Sequence, residues 1–181
     1  SHVGIHRYSF PIKGEPRIRI DMRHTIGDCI PDSISFNAVS DRLVQGGRHI
    51  SGWAPDRYMF FSASFSVPFS GCKDEGEDRY LLTFPEGTEE VTVSVGLSEV
   101  DAESAEQNRI AEVGDKDFDA VRAETRMLWA NNLGKVKVEG GSSERMTIFY
   151  TALYHTMVSP NLMSDLDGRY RNHSQEIASA P

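Results

Sequence analysis

The sequence has few cysteines, no long apolar run and fewer basic than acidic residues. Its two cysteines, Cys29 and Cys72, cannot build a disulfide framework, so they are either reduced or joined in one incidental bridge. No apolar stretch approaches the roughly 20 residues that a transmembrane helix requires. The net charge of −8 argues against non-specific nucleic-acid binding, because no basic stripe is present to neutralise phosphates.

The first residues also lack the basic and apolar segments of a secretory signal peptide. The chain opens in strand-like sequence and ends at residues 178–181 without a closing element, which favours a piece of a longer protein. Its 181 residues can hold one ordinary domain, or one domain and part of another. The acidic composition fits a secreted, periplasmic or cell-surface enzyme without selecting one.

Several common catalytic motifs are missing as well. No His/Cys cluster has zinc spacing, and no Gly-x-Ser-x-Gly segment forms a nucleophile elbow. A Gly-x-Gly-x-x-Gly fingerprint and a phosphate-binding loop are also absent. Carboxylates are numerous, but no pair stands out in the sequence as an acid and a base.

The first hundred residues contain alternating apolar and hydroxyl side chains. This alternation predicts strands at 18–20, 34–38, 61–67 and 91–95. Glycine and proline predict breaks at 14–16, 27–28, 31–32, 46–47, 53–55 and 84–87. The polar stretch 70–78 is interpreted as a hairpin loop. Many short strands with one hydroxyl face indicate a β-sandwich whose sheets are each buried on one side.

Three helices follow this region. Asp101 is a suitable N-cap for a helix over 102–112, and Gly114 is a suitable residue to follow its end. A second helix is predicted from about Phe118 to near Gly134, with a short strand at 135–138 after it. The third begins at Ser142 or Ser143 and stops near 159–160, because a residue before proline avoids the helical region.

The third helix carries a wide apolar face. Its members recur at helical spacing: Met146, Phe149, Tyr150, Leu153 and Met157. A free-standing module does not need such a face, so we expect its packing partner to come from elsewhere.

The stretch 165–168, Asp-Leu-Asp-Gly, is a candidate ligand site. It fails the EF-hand pattern, because loop positions one and twelve would be Met163 and Ser174. It is therefore either a capped turn or a point of ligand or metal contact. His155 is likewise either a packing residue or a ligand.

Two further features have open interpretations. Trp53, Tyr58, Phe60 and Phe61 either belong to the core or form a platform for a sugar ring. Residues 172–174 match a glycosylation sequon, a match that is common by chance.

Four stretches resemble glycoside hydrolase family 92, the exo-acting α-mannosidases. They are residues 2–11 with 18–21; 58–69; 93–98 with Ala105, Asn108, Glu112 and 129–134; and 149–155 with Pro160, Asp165, Asp167, Gly168 and Tyr170. Together they span nearly the whole chain in the family's order.

The resemblance implies a mainly β fold with C-terminal helices. The expected architecture is an antiparallel β-sandwich of the mutarotase-like kind, then linker helices, then the first helix of an (α/α)6 barrel. The corresponding boundaries are 1–98 for the latter part of the sandwich, 99–141 for the helical linker and 142–181 for the start of a truncated catalytic barrel.

The resemblance further implies a calcium-dependent enzyme that hydrolyses α-mannosides with inversion, and many members prefer α-1,2 linkages. The family's general acid, general base and calcium ligands belong to parts outside this chain. No catalytic or metal-binding residue is therefore assigned here, and the chain alone is expected to be inactive. Five residues match family positions near the domain junction and are expected to lie beside the substrate: Tyr154, His155, Asp165, Asp167 and Tyr170.

The implied partners are mannose-containing glycans and the remainder of the chain's own catalytic domain. The apolar face of the third helix would also allow self-association if left uncovered. We expect no nucleic-acid partner and no membrane span. The alternative hypothesis is a non-catalytic β-sandwich module that binds glycans or another protein.

Overall fold

The structure, a computed structural model, describes residues 1–11, 13–27, 29–52, 56–159 and 161–180. The chain divides into two compact units. The first contains Ser1–Asp115 and Met163–Pro181, and the second contains Lys116–Leu162.

The larger sheet of the first unit has five antiparallel strands in the order β1-β8-β5-β4-β3. Their bounds are β1 Val3–Ser9, β3 Ile30–Ala38, β4 Leu43–Ser51, β5 Arg57–Phe65 and β8 Glu90–Ser98. Four predicted strands fall inside or largely inside observed ones, since strict alternation is a strong signal for a half-buried strand. Pro31, a predicted break, lies in β3 where the register with β4 shifts.

A smaller sheet packs on the inner face of the first, which confirms the β-sandwich. It has the order β2-β7-β6, with β2 Arg17–Asp21, β6 Gly71–Gly76 and β7 Arg79–Thr83. The buried core between the sheets comprises Val44, Ala63, Phe65, Phe69, Leu82, Phe84, Val91 and Val93.

The outer face of the larger sheet is covered by helix α1, Ala102–Glu112. The prediction that each sheet is buried on one side only is therefore wrong. The hydroxyl face of β5 and β8 is buried as well, at Ser62, Ser94 and Ser98. Small side chains on this face let a helix approach closely, so alternating serine here marks a helix seat and not a solvated surface.

The predicted break at Gly46 and Gly47 is also wrong, because both lie inside β4. A Cβ on Gly46 would lie 2.4 Å from the carbonyl oxygen of Ser35, and one on Gly47 would lie 2.4 Å from the ring of Phe60. Glycine is needed at these positions for close packing, and a glycine pair in a strand does not by itself indicate a turn.

The hairpin loop predicted at 70–78 is mostly a strand. Strand β6 covers Gly71–Gly76 and is exposed along its whole length, because it is the edge of the smaller sheet. Only Glu77 and Asp78 form the turn, with φ angles of 52° and 56°. Positive φ at both central residues is typical of tight two-residue hairpins.

The last part of the first unit, residues 163–180, forms a segment that we call the C-terminal hairpin. Its strands β9, Arg169–Arg171, and β10, Ile177–Ser179, pair antiparallel. The sequence did not predict these strands, since three residues each are too few to show a period.

The second unit contains two helices, α2 Phe118–Leu133 and α3 Ser143–Thr156. Asp117 and Ser142 cap their N-termini, as their sequences predict, and neither helix has a buried residue. The strand predicted at 135–138 does not form. No partner strand lies beside it among the described residues, and the carbonyl of Val136 accepts a hydrogen bond from the Tyr150 hydroxyl. The predicted stop Pro160 lies outside the described residues.

Cys29 and Cys72 are both free thiols. Within the described residues, no helix has the length and apolar character needed to cross a membrane. The predicted domain boundaries at 98, 99–141 and 142 stay predictions.

Candidate functional site

Asp165 lies at the centre of a buried hydrogen-bond cluster between the C-terminal hairpin, α1 and the end of β8. Its exposed fraction is 5%. One carboxylate oxygen accepts from the Ser98 hydroxyl at 2.6 Å, and the other accepts from the Asn108 amide at 2.7 Å. Asn108 also donates to the carbonyl of Leu97 and accepts from the backbone N–H of Leu166. The cluster therefore joins three elements through two buried polar side chains.

The stretch 165–168 itself is a turn. The N–H of Gly168 donates to the carbonyl of Asp165 at 2.9 Å, and Gly168 has a φ of 83°, which favours glycine. The N–H of Ala180 donates to the Gly168 carbonyl and closes the base of the hairpin. Of the two interpretations, the capped turn is the one that these hydrogen bonds support.

Arg169 attaches the turn to the start of α1. Its guanidinium donates to the Ser104 hydroxyl at 2.7 Å and to the carboxylate of Asp101, the N-cap of α1, at 3.3 Å. It also donates to the exposed carboxylate of Asp167 at 2.6 Å. Hydrogen bonds from the Arg169 backbone and side chain lower the pKa of Asp167. Asp167 therefore acts here as an anionic partner that orients Arg169.

The pKa of Asp101 is also below its usual value. Burial raises the pKa, but hydrogen bonds from the N–H and hydroxyl of Ser104, together with Arg169, lower it further than burial raises it. An anionic N-cap is favourable at the positive end of a helix dipole.

Arg171 covers the ring of Tyr58 on β5. Its guanidinium carbon lies 4.2 Å from the ring centroid, and Nε donates to the carbonyl of Glu99. The His49 ring lies 4.5 Å from the same Tyr58 ring. Tyr58 thus packs in a polar contact outside the sandwich core, whereas Phe61 packs against that core as the core interpretation predicts. Trp53 lies outside the described residues.

Tyr170, between the two arginines, pairs with Ala178 across the hairpin and is half-buried. The N-terminal end of the hairpin is held by His2, whose Nε2 lies 2.9 Å from the carbonyl oxygen of Ser164. His2 Nδ1 lies 2.7 Å from the carboxylate of Glu112 at the end of α1.

The remaining predicted residues, Tyr154 and His155, lie on α3 in the second unit. The ring of Tyr154 lies 4.6 Å from that of Trp129 on α2, and Tyr154 is 40% exposed. His155 is exposed in the last turn of α3. The five predicted residues thus divide between the two units: Asp165, Asp167 and Tyr170 lie together in the first. Whether any of the five lies beside a substrate stays a prediction.

Sequence reasoning missed most of the contacts around Asp165. Asn108 entered the analysis only as a member of a matching stretch, and Ser98 only as the point where the pattern changes. The signal that could have found them is polarity in the wrong place: both lie on faces that otherwise carry small side chains. A buried amide or hydroxyl requires a hydrogen-bonding partner.

Two glutamates of α1 predict a loss of stability in acid. Burial raises the pKa of Glu106, but hydrogen bonds from Arg109 and Ser62 lower it below its usual 4.5. The pKa of Glu112 is lowered in the same way by Ser1 and His2, against the effect of burial. Carboxylates with a depressed pKa stabilise the fold above the unfolded pKa, and this contribution is lost as the pH falls through the folded pKa. We expect the free energy of unfolding, measured by urea denaturation, to fall below pH 4.5.

The matched test compares Glu106→Gln with Glu86→Gln, which removes an exposed loop carboxylate. The first variant should lose less stability between pH 5 and pH 3 than the unmodified chain, whereas the second should follow the unmodified profile. Identical acid profiles for all three chains would contradict the assignment to Glu106.

The described residues do not suit calcium. Among them, no group of three or more His, Cys, Asp or Glu side chains is arranged to hold a metal ion. Both carboxylate oxygens of Asp165 already accept hydrogen bonds from protein groups. No step of the chemistry is therefore derived through calcium from this chain.

Comparison with known proteins identifies the family. The N-terminal domain of glycosyl hydrolase family 92 matches residues 1–98, and the catalytic domain of that family matches residues 104–180. The family GH92 alpha-mannosidase BT3965 from Bacteroides thetaiotaomicron is similar to the chain, with a TM-score of 0.88 and 26% identity. The match covers 99% of this chain and 27% of that one.

Two other solved structures are similar. The family GH92 inverting mannosidase BT2199 from Bacteroides thetaiotaomicron VPI-5482 has a TM-score of 0.84 and 25% identity, over 98% of this chain and 26% of its own. The GH92 family glycosyl hydrolase ccman5 has a TM-score of 0.88 at 24% identity, over 99% and 26%, which is a likeness of fold. No curated protein matches the chain significantly.

The chain spans about a quarter of the length of these relatives. Both family domains match in sequence order, and the N-terminal domain alone covers more than half of the 181 residues. The chain therefore belongs to glycosyl hydrolase family 92.

Proposed function

We propose that this chain is part of an exo-α-mannosidase that hydrolyses terminal α-linked mannose, with α-1,2 linkages preferred, and inverts the anomeric centre. The observation that carries the proposal is the match to family 92 in both domains over nearly all of the chain. Two similar structures are an alpha-mannosidase and an inverting mannosidase, which supports the reaction type.

The chemistry of the intact enzyme would need two opposed carboxyl groups. In an inverting glycosidase, one carboxylic acid protonates the leaving oxygen while a carboxylate activates water on the opposite face of the sugar. About 6.5–9.5 Å must separate the two groups to leave room for that water. We propose that both groups, and the ligands of a calcium ion that assists sugar binding, lie outside residues 1–181.

The contribution of this chain would be to shape the junction between the domains. The Asp165 cluster fixes the C-terminal hairpin on α1, and the hairpin carries Asp167 and Tyr170. We propose that these residues, together with Tyr154 and His155, lie near the substrate in the intact enzyme. The proposed location of that enzyme is secreted, periplasmic or at the cell surface, where mannose-containing glycans are accessible.

The exposed apolar side chains of the second unit support a further partner. Ile148 and Met127 are 62% and 65% exposed, and neither helix of this unit buries a residue. We propose that the remainder of the catalytic domain covers these helices in the intact enzyme. In the separate chain the same surface would mediate self-association, which sedimentation velocity over a concentration series would detect or refute.

Mannose release tests the proposed reaction directly. The intact protein should release mannose from an α-1,2-mannobioside, and a calcium chelator should abolish the release. The 181-residue chain should release none, because it would lack both the acid and the base. Proton NMR of the first product would show the β-anomer if the configuration is inverted.

Each part of the proposal can fail separately. No release by a folded intact protein would refute the mannosidase and favour a non-catalytic module that binds glycans. Release that resists the chelator would refute only the calcium requirement, and release by the 181-residue chain would refute the location of the catalytic groups.

A further inference from the structure

A groove of about 460 Å³ opens between the two sheets of the sandwich, beside β1 and β2. Its floor is the inner face of the larger sheet, where Met59, Phe61 and Val95 contribute apolar side chains. Leu97 and Tyr8 also line it, and each is 41% exposed. An uncovered apolar floor inside a sandwich is unusual, because the two inner faces normally bury one another.

The groove exists because the smaller sheet is too narrow to cover the larger one. The sheets contain three and five strands, and β2 is the edge strand that borders the groove. Phe36 on β3 stacks on Tyr80 on β7, which places the smaller sheet over the opposite side of the larger sheet. The inner faces of β1 and of the end of β8 therefore lack a covering strand among the described residues.

The edge of β2 also presents backbone hydrogen-bonding groups toward the groove. In the pairing with β7, the N–H of Phe84 donates to the carbonyl of Pro16, and the N–H of Met22 donates to the carbonyl of Asp78. Bonded and non-bonded positions alternate in an antiparallel pair, so the even-numbered residues of β2 bond to β7. The N–H and C=O groups of Arg17, Arg19 and Asp21 consequently point to the free edge.

We propose that an extended segment of the intact protein, from the part that precedes Ser1, adds to the free edge of β2 as a further strand and fills this groove. The segment would bond to the outward backbone groups of Arg19 and Asp21. Its alternate side chains would pack on Leu97 and Tyr8, and the others would face solvent. The inference goes beyond the proposed mannosidase activity and does not depend on it.

Three observations favour this occupant. The chain covers about a quarter of its relatives, so most of the intact protein lies outside it. Residues 1–98 match the family's N-terminal domain and residues 104–180 its catalytic domain, which favours the preceding part as the source of sandwich strands. A free edge beside an apolar floor binds an extended peptide through both backbone bonds and alternate side chains.

Hydrogen exchange at single amides tests the proposed pairing. The amides of Arg19 and Asp21 should exchange on the order of 100-fold more slowly in the intact protein than in the 181-residue chain, because a paired amide exchanges only after local opening. The amides of Ile18 and Ile20 are the matched control. They point to β7 and should be protected in both proteins.

Cysteine labelling tests the filling of the groove. In a background with Cys29→Ser and Cys72→Ser, a Leu97→Cys thiol should react readily with a maleimide in the 181-residue chain and on the order of 100-fold more slowly in the intact protein. A Val39→Cys thiol, 49% exposed at a site away from the groove, should react readily in both.

Three outcomes would overturn the proposal. Equal exchange and labelling in the two proteins would show that the groove stays open. Protection of Leu97→Cys without protection of the Arg19 amide would indicate a bound molecule and not a strand. Protection within the 181-residue chain that rises with concentration would indicate a second copy. None of these measurements uses mannose release, so the result is independent of the proposed function.

Discussion

Replacing Gly96 with alanine should lower the free energy of unfolding of this chain by about 3 kcal/mol or more, since overpacking a well-packed contact costs several kcal/mol at its upper range. An alanine Cβ would lie 2.0 Å from the carbonyl oxygen of Ala105 and 2.8 Å from the Cβ of Arg109. Both contacts belong to α1, and the nearer one is to backbone, so the helix must move away from β8. Urea denaturation followed by circular dichroism would measure the loss.

The matched control is Gly71→Ala on the exposed edge strand β6. A Cβ there meets no atom within 4 Å, so the substitution should change stability by less than about 1 kcal/mol. Similar losses from both variants would show that strand propensity, and not the helix contact, decides the effect. A Gly96→Ala chain as stable as the unmodified one would contradict the tight seating of α1.

The elements that the sequence predicts well are those whose signals are local. Asp101, Asp117 and Ser142 each cap a helix at the expected residue, because a cap needs only the side chain and the N–H groups that follow it. Alternation over five or more residues likewise identifies a strand without knowledge of its partner.

The elements that it predicts poorly depend on distant partners. Gly46 and Gly47 look like a turn until the rings of Phe60 and Phe61 on the neighbouring strand are considered. The polar strand β6 looks like a loop because an exposed edge needs no apolar face. The segment 135–138 alternates like a strand but has no neighbour to pair with among the described residues. Pairing is a tertiary property, so strand propensity alone is a weak guide.

The candidate site shows the same division. The turn at 165–168 follows from the Asp/Gly chemistry of the stretch itself, and its hydrogen bonds support that interpretation. The burial of Asp165 does not, since Ser98 and Asn108 are 67 and 57 residues away in the chain. Matching motif residues therefore include at least one that holds the hairpin in place and whose carboxylate is already fully engaged.

The C-terminal hairpin and α1 belong to the region that matches the catalytic domain, while β8 belongs to the region that matches the N-terminal domain. The Asp165 cluster joins these two regions through side chains. A buried carboxylate that accepts two hydrogen bonds fixes the distance between its donors, so the cluster determines how the hairpin is placed on the sandwich. Its loss should affect both stability and the order of the hairpin.

Asp165→Ala should lower the free energy of unfolding by about 3 kcal/mol, because hydrogen bonds to a charged group contribute about 1.5–3 kcal/mol each and the buried donors are left unpaired. The lost acceptors serve the Ser98 hydroxyl and the Asn108 amide. Asp165→Asn keeps the shape but presents an NH₂ group to one of these donors, so it should also destabilise, by a smaller amount. Urea denaturation would measure each loss, and hydrogen exchange would report whether residues 163–180 become less protected.

Asp167→Ala is the control, because it removes a carboxylate of the same turn that is exposed and pairs only with Arg169 among the described residues. An exposed ion pair contributes about 0–1 kcal/mol, so this variant should be nearly as stable as the unmodified chain. The contrast between the two aspartates separates a structural carboxylate from one that remains free to face a ligand. If Asp165→Ala were no more destabilising than Asp167→Ala, the buried cluster would not anchor the hairpin, and Asp165 would return to the set of residues with a direct role at the substrate.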